Sequence, residues 1–108
     1  MSFIALTLAA CGQNSKIENA VRATLKDPQS AQFRNFLVSK GGTIACVGWN
    51  SKNSLGGYGD WDTAHLKKGE AGWVVTDMQV REETMHLCTQ EGMDSSESTV
   101  EMIRKLTQ

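Results

Sequence analysis

Two alternating apolar runs on either side of Lys40-Gly41-Gly42 constrain this chain more than any other feature. A glycine pair supplies the backbone freedom that a tight reversal needs, so the flanking runs are expected to pair as an antiparallel hairpin. The first run is Phe33 to Ser39 and the second is Thr43 to Trp49. In the second, Thr43, Ala45, Val47 and Trp49 share one face, while Ile44, Cys46 and Gly48 share the other. A third strand is expected from Trp73 to Val80, where Val74, Thr76, Met78 and Val80 alternate against Trp73, Val75 and Asp77. Residues 58–66 are a candidate fourth.

Helices are expected on both sides of these strands. Ser15-Lys16-Ile17-Glu18 reads as a capping box, in which Ser15 and Glu18 satisfy each other's orphan backbone donors. Behind it Ile17, Ala20, Val21, Thr24 and Leu25 form one apolar stripe at helical spacing. Asp27-Pro28 stops the run, because the residue before proline is pushed out of the helical region. The spacing predicts a helix over 15–26. Asp94, with Glu97 three residues on, reads as the start of a last helix carrying Val100, Ile103 and Leu106. Residues 82–90 fit helix better than strand. The order predicts an α+β fold: an N-terminal helix, a small antiparallel sheet of three to four strands and a C-terminal helix. With 108 residues, 40% hydrophobic and 21% charged, residues 15–108 are expected to form one globular domain.

The first residues read as a targeting segment rather than as part of that domain. Phe3 to Ala10 are uncharged and apolar, the run stops at Cys11, and Gly12-Gln13-Asn14-Ser15 is abruptly polar. Leu8-Ala9-Ala10-Cys11 resembles a bacterial lipobox, although the usual basic residue ahead of the apolar run is absent. The resemblance implies a signal peptide at 1–10, lipidation of Cys11 and a short tether at 11–14. It also implies a membrane attachment through the lipid anchor, since two or more acyl chains hold stably at about 0.8 kcal/mol per buried methylene. Gly12 in place of Asp implies the periplasmic face of the outer membrane.

If Cys11 is acylated, Cys46 and Cys88 remain as an even pair in an oxidising compartment, where disulfides persist. Closing that loop stabilises by about 4 kcal/mol on the chain-entropy model. The alternative is two separate buried thiols. Cys46, Cys88, His65 and His86 also make a formal set of four zinc-type ligands, but without paired C-x-x-C spacing, and no metal or other cofactor is expected. The chain has no G-x-S-x-G elbow, and no Gly-Lys-Ser/Thr follows its glycines, so neither a hydrolase nor a phosphate loop is indicated. A net charge of −1 without a basic cluster argues against nucleic acid. The reading is non-enzymatic.

The working surface is expected between Trp49 and Trp61, in W-N-S-K-N-S-L-G-G-Y-G-D-W. As a plain turn, Asn50, Asn53, Gly56 and Gly57 supply residues that tolerate positive φ, and Tyr58 and Trp61 cover the sheet end. As a binding surface, Trp49, Tyr58 and Trp61 supply ring faces and Asn50, Lys52 and Asn53 supply directional polar groups. D-P-x-S-A-x-F-R-N at Asp27 to Asn35, followed by C-x-G-x-N-x-K-N-S-x-G-G-Y from Cys46, resembles a family of small proteobacterial and prophage-borne proteins, many of which carry a lipoprotein or secretory signal. Val47 departs from the family's adjacent Cys-Gly, and Trp49 stands where an acidic residue is common. The resemblance implies an envelope location and a phage connection, with no defined reaction. Two functions follow as expectations, with a metal-binding or redox protein using Cys46, Cys88 and His86 as a weaker third. One is a protein-binding module whose partner is an envelope receptor or a phage injection component, as in superinfection exclusion. The other is a module that binds cell-wall glycan by stacking sugars on the three rings.

Overall fold

A computed structural model describes the backbone of residues 2–106, with side-chain detail for residues 12–99, 102, 103, 105 and 106. Helix α1 (Ser2–Arg22) and a 3₁₀ turn at Pro28–Ser30 precede four strands: β1 (Gln32–Val38), β2 (Ile44–Asn50), β3 (Asp62–Gly69) and β4 (Gly72–Asp77). A 3₁₀ segment at Glu82–Cys88 then leads into α2 (Gln90–Leu106). The strands form an antiparallel meander in the order β1-β2-β3-β4. The α+β class, with a helix at each end of an antiparallel sheet, is as the sequence predicts.

Strand β2 is buried on both of its faces, so both faces of the sheet need a cover. On one side Ile17 and Val21 of α1 pack against Ala45, Val47, Ala64 and Leu66, with Phe33, Phe36, Trp49, Trp73, Val75 and Met78 around them. On the other side Ile44 and Cys46 meet Val80, Cys88 and Met93. The second cover is fastened covalently. Cys46 and Cys88 form a disulfide with Cα atoms 5.6 Å apart, closing a separation of 42 residues.

A bulge in β1 decides which side chains reach the first core. Phe33 and Phe36 stand three apart, so a regular strand would send them to opposite faces. The register shifts between Arg34 and Leu37, and Asn35 takes φ 58°. Asparagine accepts this left-handed conformation better than most residues. With the shift, both phenylalanines face α1.

A carboxylate clamp holds the start of α2 to the β1–β2 turn. Asp94 Oδ1 accepts the Lys40 N–H (2.9 Å). Glu97 accepts the backbone N–H groups of Gly41 (3.0 Å) and Thr43 (2.9 Å), and the hydroxyls of Ser39 and Thr43 also donate to it. Glycine at 41 favours this approach, because a Cβ there would stand 2.8 Å from Glu97 Oε2 and the carboxylate would have to shift. Burial alone would raise the Glu97 pKa. The hydroxyls of Ser39 and Thr43 and the two backbone donors outweigh it and bring the carboxyl to about 2.

Several boundaries differ from the sequence reading, each for a local reason. Helix α1 runs through Ser15–Glu18 rather than starting there, so these residues do not cap it, and residues 11–14 are helical. It ends at Arg22, not 26, because the chain tightens: Thr24 and Leu25 bond three residues back, and the Thr24 hydroxyl takes the Val21 carbonyl (2.8 Å). Strand β3 begins at Asp62, four residues after the proposed start at Tyr58. Strand β4 stops at Asp77, so Met78 joins Trp73 and Val75 in the first core instead of alternating with them. Residues 82–88 are 3₁₀ rather than α-helical. Helix α2 starts at Gln90 because Thr89 is its cap: Oγ1 accepts the Gly92 N–H (3.0 Å), and its carbonyl accepts that of Met93 (2.9 Å). Asp94 and Glu97, read as the cap pair, grip the hairpin turn instead. Val100 lies outside the described side chains.

The clamp makes stability pH-dependent with a definite sign. A carboxyl whose folded pKa is depressed from 4.5 to about 2 contributes fully above its unfolded value and loses that contribution as pH falls through this interval. The thermal midpoint of the native protein should therefore drop between about pH 5 and pH 2. In Glu97→Gln it should be several degrees lower at neutral pH and fall less steeply on acidification. Parallel pH profiles for the two proteins would contradict the clamp.

Candidate functional site

The β2–β3 connection is a built structure rather than a slack loop. Asn50, 5% exposed at the end of β2, donates from Nδ2 to the Gly59 carbonyl (2.8 Å) and ties the two arms together. Lys52 and Tyr58 then form an isolated antiparallel bridge. Beyond it the Asn53 side chain organises the tip: Oδ1 accepts the N–H groups of Leu55 (2.9 Å) and Gly57 (3.2 Å). The Asn53 N–H donates to the Gly57 carbonyl (2.8 Å), and the Gly56 N–H donates to the Asn53 carbonyl (3.0 Å).

The loop is also fixed to the segment that follows α1. Tyr58 donates its hydroxyl to the Ser30 carbonyl (2.9 Å), and the Lys52 N–H donates to Ser30 Oγ (2.9 Å). Ser30 Oγ itself donates to the Asp27 carbonyl (2.8 Å). The D-P-x-S block and the K-N-S-x-G-G-Y block, distant in sequence, thus meet through Ser30. What remains outward is a small patch: the Leu55 side chain, 93% exposed, the Lys52 ammonium and the Tyr58 ring, 44% exposed. Lys52 Nζ lies 5.9 Å from the Tyr58 ring centroid.

The expected binding residues therefore divide. Lys52 and Tyr58 present their side chains at the tip, and Gly56 shapes it with φ 84°. Asn50 is buried and tied to the Gly59 carbonyl, whereas Asn53 uses its Oδ1 inside the loop and itself remains exposed. Gly57 has an ordinary φ and open space where a Cβ would stand. Trp49 faces the first core and donates from Nε1 to the Met78 carbonyl (2.8 Å). Trp61 is capped by Arg34, whose Cζ lies 4.0 Å from the ring centroid. The three rings do not form one platform.

Arg34 is the residue that the sequence reading missed as a side chain in its own right. It stands opposite Gly48 on β2, which stands opposite Thr63 on β3. A Cβ at Gly48 would come within 3.0 Å of the Arg34 carbonyl and 3.1 Å of its Cγ. Glycine therefore lets Arg34 lie across β2 and reach the ring just ahead of β3. The signal in the sequence was the glycine inside an otherwise apolar strand.

The formal zinc set does not assemble as one. Cys46 and Cys88 are joined to each other, and His86 is exposed. Among the described residues no three His, Cys, Asp or Glu side chains converge on a metal-sized site. His65, next to Cys46 across β2–β3, is buried and paired with Thr76 (Nδ1 to Oγ1, 2.6 Å). Since the Thr76 hydroxyl donates to the His65 carbonyl (2.9 Å), Nδ1 carries the ring proton. Burial, then the Lys67 charge, lower the His65 pKa against an opposing effect of Asp77, and the ring stays neutral near pH 7. The Cys11 side chain lies outside the described residues, and no helix among those residues is long and apolar enough to cross a membrane. Compared with protein-family models, curated proteins and solved structures, the chain matches none.

The loop geometry ranks three substitutions. Gly56→Ala should cost about 1 kcal/mol or more, because alanine is strained at positive φ. Asn53→Ala should cost about 1 kcal/mol through the loss of two tip hydrogen bonds. Gly57→Ala should be nearly silent, within about 0.5 kcal/mol. Denaturant midpoints of the three variants check the order; a Gly57 variant as unstable as the Gly56 variant would refute the tip geometry.

Proposed function

We propose that this protein is a non-enzymatic cell-envelope lipoprotein that binds a protein partner through the tip of the β2–β3 loop. The observation that carries the reading is the exposure of Leu55 on a tip whose backbone is internally hydrogen-bonded. A large apolar side chain held out in water by a preformed loop loses little conformational entropy on docking, which is the economy that protein interfaces exploit. Lys52 and Tyr58 flank it with a charge and an amphipathic ring, the residue types that orient such contacts.

Support for the envelope comes from the lipobox-like Leu8-Ala9-Ala10-Cys11 and from the disulfide, which belongs to oxidising compartments. One form of the function is a prophage-encoded exclusion protein acting on an envelope receptor or a phage injection component. The glycan reading draws less support, because it needs two open, coplanar rings and Trp49 and Trp61 are each covered.

A photo-crosslinker at Ser54, beside the exposed leucine, tests the reading in the native envelope. A discrete protein adduct is expected in the membrane fraction. It should disappear in Leu55→Ser and Lys52→Ala proteins whose thermal midpoints are unchanged, and Cys11→Ser should release the protein from membranes. Adducts confined to cell-wall fragments, or adducts indifferent to both tip substitutions, would count against it.

A further inference from the structure

A concavity borders Trp61 on the sheet face that carries the Cys46–Cys88 disulfide. It has a volume of about 220 Å3 and is lined by Arg34, Leu37, Gly48, Trp61, Thr63 and Met85, with the Cys46–Cys88 disulfide at its base. Gly48 makes room on β2 for Arg34, and the disulfide fixes the end of the 3₁₀ segment that carries Met85. Leu37 and Met85, 39% and 41% exposed, are apolar side chains left half in water at its rim.

Arg34 is the charged side chain that dominates this site. Its Cζ lies 4.0 Å from the Trp61 ring centroid, and among the described residues its side chain has no hydrogen-bond or carboxylate partner. The ring contact takes up none of its N–H donors, and a guanidinium with free donors receives a carboxylate through two parallel hydrogen bonds. Asp62 also borders the cavity, but it stands opposite Trp49, one residue off the Arg34–Gly48–Thr63 row, and so belongs to the other face of the strand. The positive charge is therefore not answered from within the row.

We infer that this cavity binds a carboxylate attached to one apolar group, with Arg34 holding the carboxylate and Leu37, Met85 and the disulfide enclosing the apolar part. The size sets the scale. A volume of about 220 Å3 falls below the roughly 300–1,000 Å3 of drug-sized pockets, so it admits one side-chain-sized group. That chemistry belongs to a peptide ending in a free apolar residue and equally to a short branched carboxylic acid. Thr63 supplies a hydroxyl for orientation. The site is separate from the Lys52–Tyr58 tip and does not depend on its function.

The test is an NMR titration of the intact, oxidised protein, followed through the Trp61 indole N–H and the Met85 methyl. Three probes are used: N-acetyl-Gly-Leu with a free C-terminus, its C-terminal amide, and 4-methylpentanoate. Saturable shifts at both reporters are expected with at least one free acid, and none with the amide. Saturation by the peptide assigns a chain terminus as the source, and saturation by 4-methylpentanoate alone assigns a small acid. Arg34→Gln should weaken binding about tenfold or more, Arg34→Lys should restore only part of it, and Lys52→Ala should leave it unchanged. Thermal midpoints verify that each variant is folded. Failure of both acids to saturate at ten-millimolar order, equal binding of the amide, or full binding by folded Arg34→Gln would reduce the Arg34–Trp61 stack to a structural contact and overturn the proposal.

Discussion

Burial of β2 on both faces is the constraint from which the rest of the architecture follows. A strand with apolar residues on two sides cannot end at a half-solvated sheet, so the chain must bring a separate cover to each face. Helix α1 supplies the first by placing Ile17 and Val21 on Ala45, Val47, Ala64 and Leu66. The second cover consists of the 3₁₀ segment and the start of α2, and buries Val80, Cys88 and Met93. It is fixed by other means: the Cys46–Cys88 bond, the Thr89 cap, and the grip of Asp94 and Glu97 on the hairpin turn. Covalent and electrostatic fastening stand in for the contact area that a chain of this length cannot provide.

The same arrangement sets where the exposed chemistry lies. The first face is closed by aromatic and aliphatic packing. The second, held at the disulfide and the clamp, leaves concave space beside the 3₁₀ segment: Arg34, Gly48 and Thr63 on one side, His65, Lys67 and Thr76 on the other. Beyond both faces, the β2–β3 loop projects from the strand end as a self-bonded tip anchored to Ser30. The structure thus offers two different surfaces, a loop tip and a small pocket lined by Arg34 and Trp61.

What the sequence made legible is what depends on local pattern. Alternation in Thr43–Trp49, the Lys40-Gly41-Gly42 reversal and the Ile17–Val21 stripe placed the hairpin, its faces and the first helix. The Cys46–Cys88 pairing is the one expected if Cys11 is set aside as acylated. What escaped depends on partners distant in sequence. Asp94 and Glu97 carry the spacing of a helix cap, yet their acceptors are used on the residue 39–43 turn, a contact that no local window contains. The Asn35 bulge moves Phe36 to the first core, and strict alternation has no means to anticipate it. In the loop, composition marks an unusual segment without separating its parts: Asn50 and the Asn53 Oδ1 serve as internal scaffold, and Leu55 is the most exposed large apolar side chain.

The central claim is that the tip is preformed, so that its outward side chains are displayed rather than merely tolerated. Hydrogen exchange of individual backbone amides measures this directly, because only N–H groups held in stable bonds resist exchange at an exposed site. The account predicts clear protection of the Asn53, Leu55 and Gly57 amides, which have partners within the tip, against fast exchange of Ser54, whose N–H has none among the described residues. Exchange of all four at the rate of an unstructured peptide would contradict it.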